Sequence, residues 1–318
     1  MRSLFIALPC VFLITAPALA SCPAELAGVE TASRGSSWQH TEELVDKLDQ
    51  VLTCEPSDQE RARGLFSAQL LVEARKLDPD LKRDGATALV EKAAALAVDW
   101  QALELMGRIN RDKSEFDKAA QAFQDAINLI ADADARNAGA EAGAETRSTH
   151  EASPEDRHKL LAEADEAKHL AAAGPQGVLV SATPDRAGNP GGVFSAAMDR
   201  GAVGGQVPVP ILFEYDSAEL TRVGTEAALE MAEFLKSQAP AAISVTGHTD
   251  HVGTAAYNLD LSKRRAAAVA ALLRKRGITA TITIIGKGFS EPRKLTASYS
   301  QAQIDELNRR VEFGWTQQ

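Results

Sequence analysis

The feature that most restricts this chain is a change of hydrophobic period near residue 208. From Trp38 to Ile130, leucine and alanine recur at three- and four-residue spacing with few β-branched runs, the signature of amphipathic helices. From Pro208 onward, short apolar runs of period two alternate with segments of period 3.6. One layer cannot serve both periods. The 318 residues therefore read as an α-helical part followed by an α/β sandwich, an α+β chain overall. Hydrophobic residues at 45% and charged residues at 25% supply a core for each part and exclude a wholly disordered or polytopic membrane chain. Charge divides at the same place, because residues 208–318 carry 13 Lys+Arg and 12 Asp+Glu, leaving 21 and 32 to residues 1–207. That acidic balance argues against general nucleic-acid binding, which needs a basic face for phosphates.

The first twenty residues have the order of a secretory signal peptide: Met1-Arg2, an apolar stretch from Leu4 to Ile14, then Ala18-Leu19-Ala20. Pro9 and Pro17 interrupt the apolar run, which is shorter than the roughly 20 residues of a spanning helix. The expectation is export to the periplasm. Leu19-Ala20-Ser21-Cys22 also resembles the lipobox of bacterial lipoproteins, in which the cysteine is acylated. Cleavage after Ala20 removes Cys10 and leaves Cys22 and Cys54, an even pair suited to a disulfide in an oxidising compartment. Lipidation of Cys22 would leave Cys54 unpaired, and parity favours the disulfide.

Residues 38–131 read as one helical domain. Leu103, Leu105, Gly107, Ala119, Phe123, Ala126 and Leu129 stand in register with Leu70, Val72, Ala74, Ala86, Val90, Ala93 and Leu96, 33 residues earlier. This spacing resembles the tetratricopeptide repeat, in which small residues let paired helices approach and large ones fill the gap between repeats. Two clear repeats are few, so a helix from Thr41 to Leu52 is expected to pack as a partial third. A plain helical bundle with the same Leu/Ala core is the alternative.

Residues 132–207 read as a flexible linker. Within it, Ser153-Pro154-Glu155-Asp156 predicts one helix over about 154–172, stopped at Gly174-Pro175. The Gly/Pro-rich residues 173–207 would span on the order of 30 Å as free coil.

Residues 208–318 alternate strand and helix: a run from Val209 to Phe213, a helix with Ala228, Met231, Ala232 and Leu235 on one face, and a strand through Ile243 and Val245. A helix from Leu261 to Arg276, a strand at Ile282 and Ile284, a helix over Gln301–Asn308 and a strand from Val311 to Trp315 follow. The unusual chemistry lies after the second strand: Thr249-Asp250, Gly253, Asn258, Leu261-Ser262 and Arg265-Ala266. With Gly286-x-Gly288, Pro292 and Asn308-Arg309-Arg310-Val311-Glu312, this order and spacing resembles the OmpA-like C-terminal domain.

The resemblance implies non-covalent binding of peptidoglycan through the diaminopimelate residue of the stem peptide. The free end of that residue is a zwitterion, which calls for a carboxylate and a guanidinium a few ångströms apart. By motif position these are Asp250 and Arg265, with Asn258 orienting the loop or ligand, Asp216 and Arg310 flanking, and Thr249 and Gly253 supporting the loop. Strand register decides whether Arg309 or Arg310 faces inward. His248 and His251 lack further ligands at metal-site spacing, and no nucleophile elbow, phosphate loop or paired-carboxylate motif is present, so no cofactor, metal or catalysis is expected. The expectation is a wall anchor that presents an acidic helical surface to an envelope protein. The alternatives are the targeting module of a wall-remodelling enzyme and an outer-membrane lipoprotein tether.

Overall fold

In a computed structural model of the chain, residues 22–139, 151–181 and 207–316 are described. The expected signal peptide at 1–20 and residues 182–206 of the expected tether lie outside them. The chain forms two compact units, Met1–Gln69 and Leu70–Gln318.

The first unit holds α1 (Cys22–Gly35), α2 (Trp38–Asp49) and the start of α3 (Pro56–Leu77). Ser37 caps α2 by accepting from the His40 amide. Val29 and Ala32 of α1 are buried, as are Val45 and Leu48 of α2. Lys47 Nζ reaches Glu25 Oε1 at 2.8 Å and Arg63 Nη2 reaches Asp49 Oδ2 at 2.7 Å. A disulfide joins Cys22 to Cys54.

In the second unit, α4 (Asp84–Ala95), α5 (Trp100–Asp112) and α6 (Phe116–Gly139) follow the end of α3. Leu70, Ala74, Ala86, Val90 and Ala93 are buried, and so are their counterparts Leu103, Gly107, Ala119, Phe123 and Ala126. The register breaks at Val72, which is exposed. A Cβ on Gly107 would come within 2.5 Å of the Phe123 ring, so α5 and α6 meet at a spacing only glycine allows.

Helix α7 (Pro154–Ala173) starts at a capping box between Ser153 and Asp156, where the sequence places it. Its surroundings differ from those of a linker helix. Leu160, Ala164, Ala167 and Ala171 join a core with Trp100, Phe123, Ile127 and Ile130. Its charged residues Glu163, Asp165, Glu166, Lys168 and His169 are buried as well. They are buried because each meets an opposite charge or a hydrogen-bond donor from a distant part of the chain, which offsets the desolvation. Helix α6 also continues to Gly139, past the expected end near Ile130.

The last part is a four-stranded sheet in the order β1-β4-β2-β3, formed by β1 (Val207–Val209), β2 (Ala242–His248), β3 (Thr281–Gly288) and β4 (Val311–Thr316). β2 and β3 are parallel, and β4 runs antiparallel between β1 and β2. The helices are α8 (Arg222–Gln238), α9 (Ala255–Lys275) and α10 (Gln301–Asn308). Ala228, Met231 and Leu235 of α8 and Ala266, Val269 and Leu273 of α9 close over Ile243, Val245, Val311 and Phe313. Two elements differ from expectation. The first strand ends at Val209, because Pro210 has no amide to donate, and Phe213 makes only an isolated bridge to Leu220. α9 starts at Ala255 because Thr254 accepts from the Tyr257 amide, which places Asn258 inside the helix.

Candidate functional site

β2 ends at His248, and Asp250 follows in the loop that leads to α9, where it lines the cavity described below. The Thr249 amide donates to the Gly288 carbonyl at 2.9 Å, and Thr249 Oγ1 donates to the Asp250 carbonyl. Asp250 Oδ1 accepts from the Val252 amide at 3.0 Å, an Asx turn. Gly253 takes φ +102°, which glycine adopts without strain. Asn258 Nδ2 donates to the Val252 carbonyl at 2.9 Å and locks the loop onto α9.

The opposing wall is the 213–220 loop. Asp216 sits at φ +53°, a left-handed conformation that aspartate tolerates better than most residues. Its Oδ1 accepts from Tyr257 Oη, a bond that raises the phenol's pKa above its ordinary value. Arg265 from α9 is 4% exposed. Its Nε donates to the Ser217 carbonyl at 2.9 Å, and its guanidinium carbon stands 5.0 Å over the centroid of the Phe213 ring. Among the described residues its Nη groups have no hydrogen-bond acceptor. Burial, then the nearby Arg309, pulls the Arg265 pKa below its ordinary value, while Asp250, Glu306 and Asp216 oppose that shift.

Between these walls is a cavity of about 560 Å³. Five carboxylates line it (Glu214, Asp216, Asp250, Asp305 and Glu306), with two guanidiniums, Arg265 and Arg309. Arg309 Nη1 donates to Asp250 Oδ2 at 2.7 Å, and its Nη2 pairs with Glu306. The arrangement suits a ligand with an ammonium beside a carboxylate. Acidic groups surround the first, and the Arg265 fork is open for the second.

The structure brings Asp250, Arg265, Asn258, Asp216, Thr249 and Gly253 to this cavity. Arg310 is elsewhere. It is 5% exposed, its Nε bonds Glu312 Oε1 at 2.6 Å and its Nη2 bonds the Glu291 carbonyl, so Arg309 occupies the flank expected of Arg310. The register is set by α10, which ends at Asn308 and leaves Arg309 on the cavity side before β4 begins. His248 is buried with Nε2 3.5 Å from Glu312, whereas His251 is exposed with Nδ1 3.1 Å from Asp305. Tyr257 and Phe213 were not singled out from sequence.

Residues 212–306 match the model of the OmpA family. The chain is 36% identical over 104 residues to "Peptidoglycan-associated lipoprotein" of Legionella pneumophila, covering 32% of this chain and 57% of that protein. It is 34% identical over 109 residues to "Outer membrane porin F" of Pseudomonas aeruginosa, covering 34% and 30%. The chain thus spans little more than half of the first relative and under a third of the second. Among solved structures, the peptidoglycan-associated lipoprotein from Burkholderia pseudomallei is 29% identical with a TM-score of 0.29, covering 33% of this chain and 88% of that one. The segment that builds every wall of the cavity except Arg309, residues 212–306, is an OmpA-family domain.

Proposed function

We propose that the cavity binds peptidoglycan through the zwitterionic end of diaminopimelate and thereby holds the helical part of the chain at the cell wall. The observation that carries this reading is the Arg265 guanidinium, buried in a carboxylate-lined cavity with its Nη fork free of acceptors among the described residues. A buried cation left open in this way has its own desolvation to recover, and a ligand carboxylate accepted bidentately supplies that recovery. Asp250, with Asp216 across the cavity, takes the ammonium. The relative named a peptidoglycan-associated lipoprotein supports the same ligand. The signal-like first twenty residues support an envelope location, and the acidic helices are the surface offered to an envelope partner. The Cys22–Cys54 bond supports an unlipidated mature form, because it leaves no Cys22 thiol to acylate.

Co-sedimentation with diaminopimelate-type sacculi tests the reading. The mature protein should pellet, and Asp250→Ala and Arg265→Ala, shown to be folded, should remain in the supernatant. Wild-type protein that stays in solution overturns it.

A further inference from the structure

Helix α7 lies outside residues 212–306, yet several of its polar side chains end on that domain. Glu166, fully buried, accepts from the Thr296 amide at 3.0 Å, from Thr296 Oγ1, and from Tyr299 Oη at 2.9 Å. Asp165 pairs with Arg293, and Lys168 Nζ stands 3.6 Å from Glu230. His169 Nε2 lies 3.4 Å from Glu306 Oε1, at ion-pairing distance without hydrogen-bond geometry. Most of these contacts fall on the segment from Arg293 to Tyr299 and on α10, the element that brings Asp305 and Glu306 to the cavity.

From Glu306 the contacts continue inward, first to Arg309 and then to Asp250. Burial would raise the Glu306 carboxyl, but His169 and Arg309 beside it bring it down to about 2, so it is a fixed anion. A fixed anion divides Arg309 between two carboxylates. Without it, Arg309 would turn both Nη groups onto Asp250 and cover the carboxylate that a ligand ammonium needs, whereas the single Nη1 bond orients it. α7 is also tied to α5, because Glu163 Oε1 accepts from Arg108 Nε at 3.0 Å and from Arg111 Nη1 at 3.3 Å.

We propose that α7 is a positioning element of the cavity. His169, acting through Glu306 and Arg309, sets how much of Asp250 is free for a ligand's cationic group, and an occupied cavity in turn tightens α7 against the domain. The inference rests on the cavity being the peptidoglycan site. The second half follows from the first, since a coupling free energy acts equally in both directions.

The test uses the mature chain and a soluble disaccharide-tripeptide that carries diaminopimelate. Calorimetry should show binding to wild type, a weakening of about two- to thirtyfold in His169→Leu, the range seen for residues in a coupled network, and partial recovery in His169→Gln, which returns a polar side chain beside Glu306. Hydrogen exchange of the amides of residues 160–172 in wild type should slow when the muropeptide binds, an effect that a merely structural helix would not show. This second readout stands even if a variant fails to fold. Equal affinity in wild type and a folded His169→Leu overturns the proposal, as does exchange in α7 that ignores the ligand. A wild type that does not bind removes the wall-binding reading itself, and this inference with it.

Discussion

Arg309 and Asp250 are joined by a 2.7 Å bond between Nη1 and Oδ2, so the carboxylate best placed for a ligand cation is already held by a protein cation. Arg309 thereby fixes the Asp250 rotamer, and Arg310, one residue on, serves the interior instead.

The two arginines should separate in mutagenesis. Arg309→Ala is expected to keep the fold and weaken sacculus binding about tenfold, the loss of one charged hydrogen bond that orients Asp250. Arg310→Ala strands Glu312 without its cation and should cost about 3–5 kcal/mol of stability. Urea melts and co-sedimentation on both variants check this, and the reverse pattern would reassign the flank to Arg310.

Acid should loosen the C-terminal domain through Glu306 and Glu312. Burial opposes ionisation at both, but neighbouring histidine and arginine lower each from 4.5 to about 2. A carboxyl lowered in the native state stabilises it fully above the unfolded pKa and loses that contribution as pH falls. Stability should therefore drop between pH 4.5 and about 2, by on the order of 3 kcal/mol per group. Glu166 has the opposite sign, since burial raises its pKa, so from neutrality down toward pH 4.5 it adds a small gain. Denaturant midpoints measured from pH 2 to 6 should show a shallower fall in Glu306→Gln.

Gly107→Ala places a methyl group within 2.5 Å of the ring of Phe123, which is fully buried. The α5–α6 pair should lose about 1–3 kcal/mol. A thermal melt that does not move would mean the two helices can separate freely.

Reduction should act on the first unit. The Cys22–Cys54 bond closes a loop of 32 residues in sequence separation, and constraining a loop of that length is worth about 3–4 kcal/mol. Cys54→Ser should lower the melting temperature of that unit. The intact mass of the exported protein should lie two hydrogens below its reduced form and carry no diacylglyceryl group.

The helix faces were legible in the sequence because packing obeys their period. Met231 and Leu235 are buried as expected, and α10 runs from Gln301 to Asn308 as predicted. That Asp250 and Arg265 meet at one cavity was legible because their offsets are local to one strand-loop-helix unit. The setting of α7 was not legible. Asp165, Glu166, Lys168 and His169 look like a solvated face, and the groups that bury Glu166, Thr296 and Tyr299, lie 130 and 133 residues away. Arg309 and Arg310 could not be told apart for a related reason. Adjacent residues point to opposite sides, and only the end of α10 decides which comes first.

The position of β4 has a consequence for how the domain assembles. It follows every other described element in the chain, yet it lies inside the sheet, between β1 and β2. During synthesis β1 must wait, unpaired, for about a hundred residues before its neighbour exists, which makes closure of this sheet a late and non-local event. Arg309 arrives with the same segment, so the cavity gains its last wall only when the sheet does.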